Sequence, residues 1–478
     1  MRNQSSILAL AAIAFSYLFY DQNAGINFLI FDLIIIGMAI YRNPVIIINR
    51  KWQWTLLMCL MSCTSILFHS SVLSIFANII SIMLLSAYSV QEQSSALTSL
   101  FFSGYSLATA PIRIIMQSGK YYDGNEKSYD KIKHTAGASI IVVFFAALFL
   151  KLYRNSNPLF EVNTAWVSLN FISFPWITFT IAGFVIIYGL FHYSTIPSIE
   201  NYENELPVKN RDGATTDHLK LNTERMSGLA LFIVLNMMLL ILNAGDIHTL
   251  WMGAKLPEGM THSDFVHYGA GNIIFSILLA TGLILYLFRK NYAVHKYNKH
   301  LKFLVYIWIL QTVIMLLSTA SRNQLYINEY SLTYLRIGVY VWLLLAAIGL
   351  ALTAEKIHFE KSNWYLVKKN AGIWFTILAI SSTVNWDRLI TNYTIKHTEL
   401  AYIDYEYLFS LSDSNIPELK SITKREDFAT LSNNNKAIQS QFHNLLKVKI
   451  HNYIANYHSE WQSWDLTDKR ITESIMRE

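Results

Sequence analysis

The chain has 478 residues, of which 53% are hydrophobic, 14% aromatic and only 15% charged, with a mean hydropathy of +0.30. A soluble chain of this length would carry more charge and would not gather its apolar residues into long runs, so the composition indicates a membrane protein. The net charge is a modest +6, and no dense basic stripe interleaved with aromatics lies outside the apolar runs, so nucleic acid is not an expected partner.

The start, "MRNQSSILALAAIAFSYLFYDQ", has a basic residue and an apolar centre, but Tyr17 to Tyr20 are mostly bulky where a cleavage site needs small residues. It reads as an uncleaved first membrane helix. A crossing helix needs ~20 apolar residues, or ~17 at the short end, and about eleven segments qualify. They lie near 6–20, 26–41, 53–69, 72–90, 135–152, 172–193, 226–245, 265–288, 301–320, 331–353 and 371–385. A further stretch, 95–117, is interrupted by Ser103, Gly104 and Pro111. It reads as a broken, interfacial or re-entrant segment.

Four basic groups set the orientation. They are Arg42, Arg50 and Lys51; Lys120, Lys127, Lys131 and Lys133; Arg289, Lys290, Lys296, Lys299 and Lys302; and Lys356, Lys361, Lys368 and Lys369. All four face the cytoplasm if the N-terminus is inside, the C-terminus outside and 95–117 does not cross. The resulting division is a transmembrane half at 1–193, a cytoplasmic linker at 194–225, a second transmembrane half at 226–385 and an extramembrane helical domain at 386–478. In that last part Ile438, Phe442, Leu445, Ile450, Tyr453 and Tyr457 are spaced as on an amphipathic helix, and Trp461 and Trp464 follow it. These aromatics are expected to pack a core rather than lie against lipid. The fold class is therefore all-α, a polytopic transmembrane helix bundle with a small C-terminal helical domain. The two cysteines, Cys59 and Cys63, are four apart on one expected helix, and they read as packing residues because a metal site needs more than two thiols.

The polar residues fall in two outward segments. The first, "GDIHTLWMGAKLPEGMTHSDFVHYG", holds Asp246, His248, His262, Asp264 and His267, with Asn272 just inside the next helix. The second, Ser318 to Trp342, holds Arg322, Glu329, Tyr330, Thr333 and Arg336. Arg336 stands roughly 7–8 Å into an apolar helix at 1.5 Å per residue. A charge at a helix centre costs ~2.5–3.5 kcal/mol unless paired or snorkelling, and Glu329, Asp246 and Asp264 are the partners at hand. One reading joins the two segments into an outward pocket. Arg336, Thr333, Tyr330, Asp246, His248 and Asn272 would then bind a ligand, with Arg336 on an anionic group, and Asp264, His267 or Glu329 would be the catalytic base if there is chemistry. The other reading has Arg336 serve packing alone. His248, His262 and His267 are the nearest approach to a metal site, but no H-E-x-x-H or C-x-x-C spacing is present, so no metal is expected. No Walker A loop, G-x-S-x-G elbow or dinucleotide fingerprint occurs, and no cofactor is expected.

With "AGDIHTLW", "LPEGMTHSDFVHYG", "YINEYSLTYLRI" and "LAYIDYEYLFSLSDSNIPEL", the chain resembles an uncharacterised family of multi-pass bacterial membrane proteins, the domain of unknown function four-one-seven-three, over roughly 225–420. In that family the third motif reads Tyr-Gly-Leu-Thr followed by an arginine. Tyr330, Leu332, Thr333 and Arg336 match, whereas Ser331 stands at the glycine. The resemblance supports a membrane protein with a distinctive polar motif and assigns no reaction; the expected location is the bacterial inner membrane. Three functions remain open: a binding, sensory or assembly protein for envelope components; a lipid- or glycan-modifying enzyme, favoured by an apolar, aromatic bundle that suits a lipid-linked substrate; and a transporter, for which Asn236, Gln311 and Asn272 give thin support.

Overall fold

Away from water every backbone N–H and C=O needs a partner within its own segment, so long apolar runs fold as helices. The computed structural model describes residues 2–119, 149–150, 153–154, 156, 173–206, 218–252, 270–288, 299–425, 428, 436–457 and 459–476. Among these residues there are seventeen α-helices. The first five are α1 (Arg2–Phe19), α2 (Ile26–Arg42), α3 (Arg50–Phe68), α4 (Val72–Tyr88) and α5 (Ala96–Gly119). Next come α6 (Phe174–Phe191), α7 (Pro197–Glu205), α8 (His218–Asp246), α9 (Ala270–Leu287), α10 (Lys299–Tyr330), α11 (Tyr334–His358) and α12 (Asn363–Ser381). The C-terminal group is α13 (Trp386–His397), α14 (Tyr405–Ser410), α15 (Ile416–Thr423), α16 (Lys436–Asn456) and α17 (Leu466–Met476).

Among the described residues four helices are long and apolar enough to cross a membrane: Phe174–Phe191, Arg225–Leu250, Lys299–Tyr330 and Tyr334–His358. Ser6–Phe19, Val72–Tyr88 and Phe275–Leu287 are shorter apolar helices. The structure thus supports fewer clear spans than the eleven expected. The apolar helix at Val72–Tyr88 has 17 residues, roughly 25 Å at 1.5 Å per residue, which is short of a ~30 Å hydrocarbon core. α3 dilutes its apolar surface with Arg50, Lys51 and several Ser and Thr residues. Most of the expected 135–152 segment and the start of 265–288 lie outside the described residues.

α5 corrects the reading of 95–117 in one respect: it is one continuous helix with Pro111 inside it. Proline removes a single backbone bond, and side chains supply others nearby. Arg113 donates to the Ser106 carbonyl at 2.5 Å and to the His192 carbonyl at 2.5 Å, and the Ser106 hydroxyl donates to the Gly189 carbonyl at 2.8 Å. Phe102 packs with Ala87 and Tyr193. Phe102, Ser106 and Arg113 therefore all meet 189–194, so α5 lies against the end of α6.

Two apolar clusters build the bundle around α1, α2 and α6 and around α8 to α11. α12 packs back onto α3 and α4 through Phe375 and Ala379. Asparagine and glutamine join α8 to α10: Gln311 donates to Asn236 at 2.8 Å, and Asn243 to the Gln311 carbonyl at 2.9 Å. Polar bonds of this kind hold helices together where burial gives little drive. At one end of the bundle lie Lys51, which donates to the Ser94 carbonyl at 3.0 Å, Lys356, which donates to the Phe288 carbonyl at 3.2 Å, and Lys368, 3.2 Å from buried Glu203.

The other end carries helices α13 to α17. Their core holds Ile390, Leu408, Leu419, Ile422 and Phe442, and it continues into Ile327 and Leu332 of the α10–α11 turn. On α16, Phe442, Leu446 and Tyr453 are buried, whereas Tyr457 points out. Trp461 and Trp464 are 47% and 41% exposed, so they do not fill the core as expected. They sit where these helices dock on the bundle. The Ile26 amide donates to the Trp464 carbonyl at 3.0 Å, the Asn23 amide to the Ser463 hydroxyl at 2.9 Å and the Thr467 hydroxyl to the Phe68 carbonyl at 2.8 Å.

Gly25 permits that approach. A Cβ there would lie 2.6 Å from the backbone of Ser463 and Trp464. Gly25→Ala is expected to cost on the order of 1–3 kcal/mol by overpacking and to open the seam. Thermal unfolding and limited proteolysis of 457–466 read this out, and a variant as stable and as protected as the wild type would contradict the docking.

Candidate functional site

Only part of the expected pocket lies among the described residues, and there its two segments meet where Asp246 pairs with Arg322. His262, Asp264 and His267 lie outside the described residues. Asn272 falls in the first turn of α9. Asp246, at the end of α8, is buried and pairs with Arg322 of α10. His248 follows on a π turn at Ile247–Trp251 with its side chain exposed. Glu329 is exposed at the end of α10.

Arg336 has a local task. Its guanidinium donates to the Tyr330 carbonyl at 2.5 Å and to the Ser331 carbonyl, and stacks 4.2 Å over Tyr326. A cation at a helix C-terminus is stabilising by roughly 0.3–1 kcal/mol, so Arg336 caps α10. Thr333 is the residue before α11, and the ring of Tyr330 lies 4.8 Å from Tyr326.

Ser331, between the two helices, has φ +70°. That is the left-handed region where a side chain costs roughly 1–2 kcal/mol and glycine fits freely. A glycine at this position of the motif therefore has a physical reason. Here the Ser331 hydroxyl bonds Thr394 at 2.6 Å, which offsets the strain by roughly 0.5–1.5 kcal/mol. Ser331→Ala keeps the strain and loses the bond, so it is expected to destabilise by about 1 kcal/mol. Ser331→Gly trades one term for the other and is expected to be near neutral. Thermal or denaturant unfolding of both variants checks this, and a Gly variant clearly less stable than the Ala variant would overturn it.

A well-formed concavity lies elsewhere among the described residues, under the docked helices. A cavity of about 720 Å³ is walled by the turn before α2 (Asn23, Ala24), the α3–α4 turn (His69 to Val72), Tyr334, the start of α13 and residues of α16 and α17. Its polar lining includes Asp387, Asp413, Asp465 and Asp468, and no Lys or Arg is among the described lining residues. Asp387 is held from both sides, accepting from the Tyr334 hydroxyl at 2.8 Å and the Ser412 hydroxyl at 2.5 Å. Asp465 caps α17, taking the Asp468 amide at 2.6 Å. The Asp468 carboxylate accepts from the Tyr453 hydroxyl at 3.0 Å. Tyr334, Trp386 and Leu73 also line a second, apolar groove of about 300 Å³ between α11 and α12, with Trp342, Trp374 and Gly338. A mainly apolar chamber that carries four carboxylates thus shares a wall with an apolar slot.

Burial pushes the Asp465 carboxyl up to about 6, and the neighbouring Asp468 charge adds to this. Burial raises Asp413 and Asp468 as well, and lowers the Lys449 ammonium behind them. A carboxyl whose folded pKa lies above its unfolded value binds protons more tightly when folded, so it loses stabilisation as pH rises from about 4 to about 6. The wild type should lose thermal stability over that window relative to Asp465→Asn, which keeps the cap and cannot ionise. Parallel pH profiles for the two proteins would contradict the shift.

Sequence reasoning missed this cavity because its carboxylates sit in three separate chain segments. One signal was available: Asp387 and Asp465 each stand at a helix start beside an aromatic residue. Sequence reasoning also passed over Asp32, a lone charge in the apolar run "INFLIFDLIIIGMAIY" and fully buried in the structure.

Fold and site together define an all-helical protein with membrane-type helices and a ligand-sized cavity at one end. A family model described as a domain of unknown function, DUF4153, matches residues 7–422, and the chain belongs to that family. Its number is 4153, where the resemblance noted from the motifs pointed to 4173. No curated protein and no solved structure matches the chain. The matched region takes in the bundle and the cavity walls from Asn23 to Ser414, whereas Tyr453, Asp465 and Asp468 lie beyond it.

Proposed function

We propose that the chain is a multi-pass protein of the bacterial inner membrane that binds an amphipathic envelope component, with a sensory or assembly role. The N-terminus and the basic bundle end face the cytoplasm, about eleven segments cross, and the C-terminal helices stand outside. Support for this orientation comes from the Lys51, Lys356 and Lys368 contacts, which gather at the end away from those helices.

The observation that carries the reading is the junction of the acidic cavity with the apolar groove at Leu73, Tyr334 and Trp386. An alkyl chain fits the groove and a polar head fits the cavity. Carboxylates without lining Lys or Arg favour a cationic or hydroxyl-rich head over the anionic one suggested by Arg336.

Gly338 supplies the test, because a Cβ there meets nothing within 4 Å while the residue lines the groove. Gly338→Leu should therefore fill the groove without disturbing the fold. A brominated long-chain alkylamine is expected to quench tryptophan fluorescence of the purified protein, since Trp342, Trp374 and Trp386 line the groove. Gly338→Leu should weaken that binding by about tenfold or more, a change of ~1.4 kcal/mol, and an alkyl phosphate should bind less tightly than the amine. No saturable quenching, or binding indifferent to Gly338→Leu, would remove the proposal.

A further inference from the structure

Asp32 lies in the middle of α2 and is 0% exposed. One carboxyl oxygen, Oδ2, accepts from Asn78 Nδ2 of α4 at 2.6 Å and from the Cys59 thiol of α3 at 3.4 Å. The Asn78 amide also donates to Ser62 at 3.3 Å. The titratable groups facing Asp32 are the thiols of Cys59 and Cys63 on α3, and α4 brings the neutral Asn78. Among the described residues no cation pairs with it. A bare carboxylate in that setting would be strongly disfavoured, because an isolated buried charge neutralises rather than remain unpaired.

Two atoms show how it is neutralised. Asp32 Oδ1 and Asn78 Oδ1 are both buried and both lack a hydrogen-bond partner. They are acceptors on two groups already joined at their other ends. Because Asp32 and Asn78 already meet through Oδ2 and Nδ2, a proton on Asp32 Oδ1 would turn one of the two unpartnered acceptors into a donor and allow an acid–amide ring that satisfies both without any added group. We propose that Asp32 and Asn78 form a proton-binding site within the apolar bundle, with Asp32 held as the neutral acid. A metal ion would need several more oxygen ligands than these two. Loss of the proton would set two bare acceptors against each other and separate α2 from α4.

The test compares wild type with Asp32→Asn, both full length and in lipid nanodiscs, by infrared spectroscopy at mildly acid pH. The wild type is expected to show a protonated-carboxyl band that is missing in the variant and unmoved by sodium. Asp32→Asn should fold and unfold like the wild type, since an amide–amide pair repeats the same ring. Three results would each overturn the proposal: no carboxyl band lost on substitution, a wild-type unfolding temperature that rises with sodium and does not do so in Asp32→Asn, or a variant that is markedly unstable.

Discussion

The amide of Ile26 donates to the carbonyl of Trp464 at 3.0 Å, and the candidate site depends on the seam formed there. A main-chain bond between residues at opposite ends of the chain leaves no room for a side chain at Gly25, so the turn before α2 and the segment before α17 meet at backbone distance. The Asn23 and Thr467 bonds flank it, and the hydrophobic core beneath runs without a break from Ile327 to Phe442. Where the two surfaces do not touch, they enclose the cavity. Its depth and its acidic lining follow from this docking, because Asp387 on α13, Asp413, and Asp465 and Asp468 by α17 all arrive with the C-terminal helices, while Tyr334 and the turns at Asn23 and His69 belong to the bundle side.

The sequence made the helices and their order legible. Apolar runs of near-membrane length, proline and glycine punctuation and the basic loops located most of the elements found. It was less informative about span number, because α3 and α4 have lengths and compositions that serve equally for a crossing or for a buried helix. The site was mostly hidden. Arg336, a charge in an apolar helix, drew attention for sound reasons, yet its need for partners is met by the carbonyls at the end of α10. Asp246 likewise found Arg322, one helix away. The cavity is made by turns and helix starts that come together only in three dimensions, and helix-cap aspartates look ordinary in a linear reading.

Polar groups in this protein divide into two kinds. Asn236, Gln311 and Asn243 bond carbonyls and one another, and hold helices together. Asp32 and Asn78 also leave two buried oxygens over, as Asn243 and Gln311 do, but of these four side chains Asp32 alone can take up a proton. The helices they join, α2 and α4, begin at turns that wall the cavity. Membership of the DUF4153 family covers the bundle side of that cavity and ends at residue 422, inside α15. The wall supplied by α16 and α17 lies beyond the matched region.

The most direct measurement is a cross-link across the seam. With Cys59 and Cys63 replaced by alanine, cysteines at positions 23 and 463 replace Asn23 and Ser463, whose amide and hydroxyl are 2.9 Å apart. A protease site introduced within 207–217 then cuts the chain between them. In native membranes under mild oxidation, the two fragments should stay joined on a non-reducing gel and separate on reduction. Fragments that separate without reductant would mean that the C-terminal helices do not rest on the bundle end, and the cavity and its ligand would go with them.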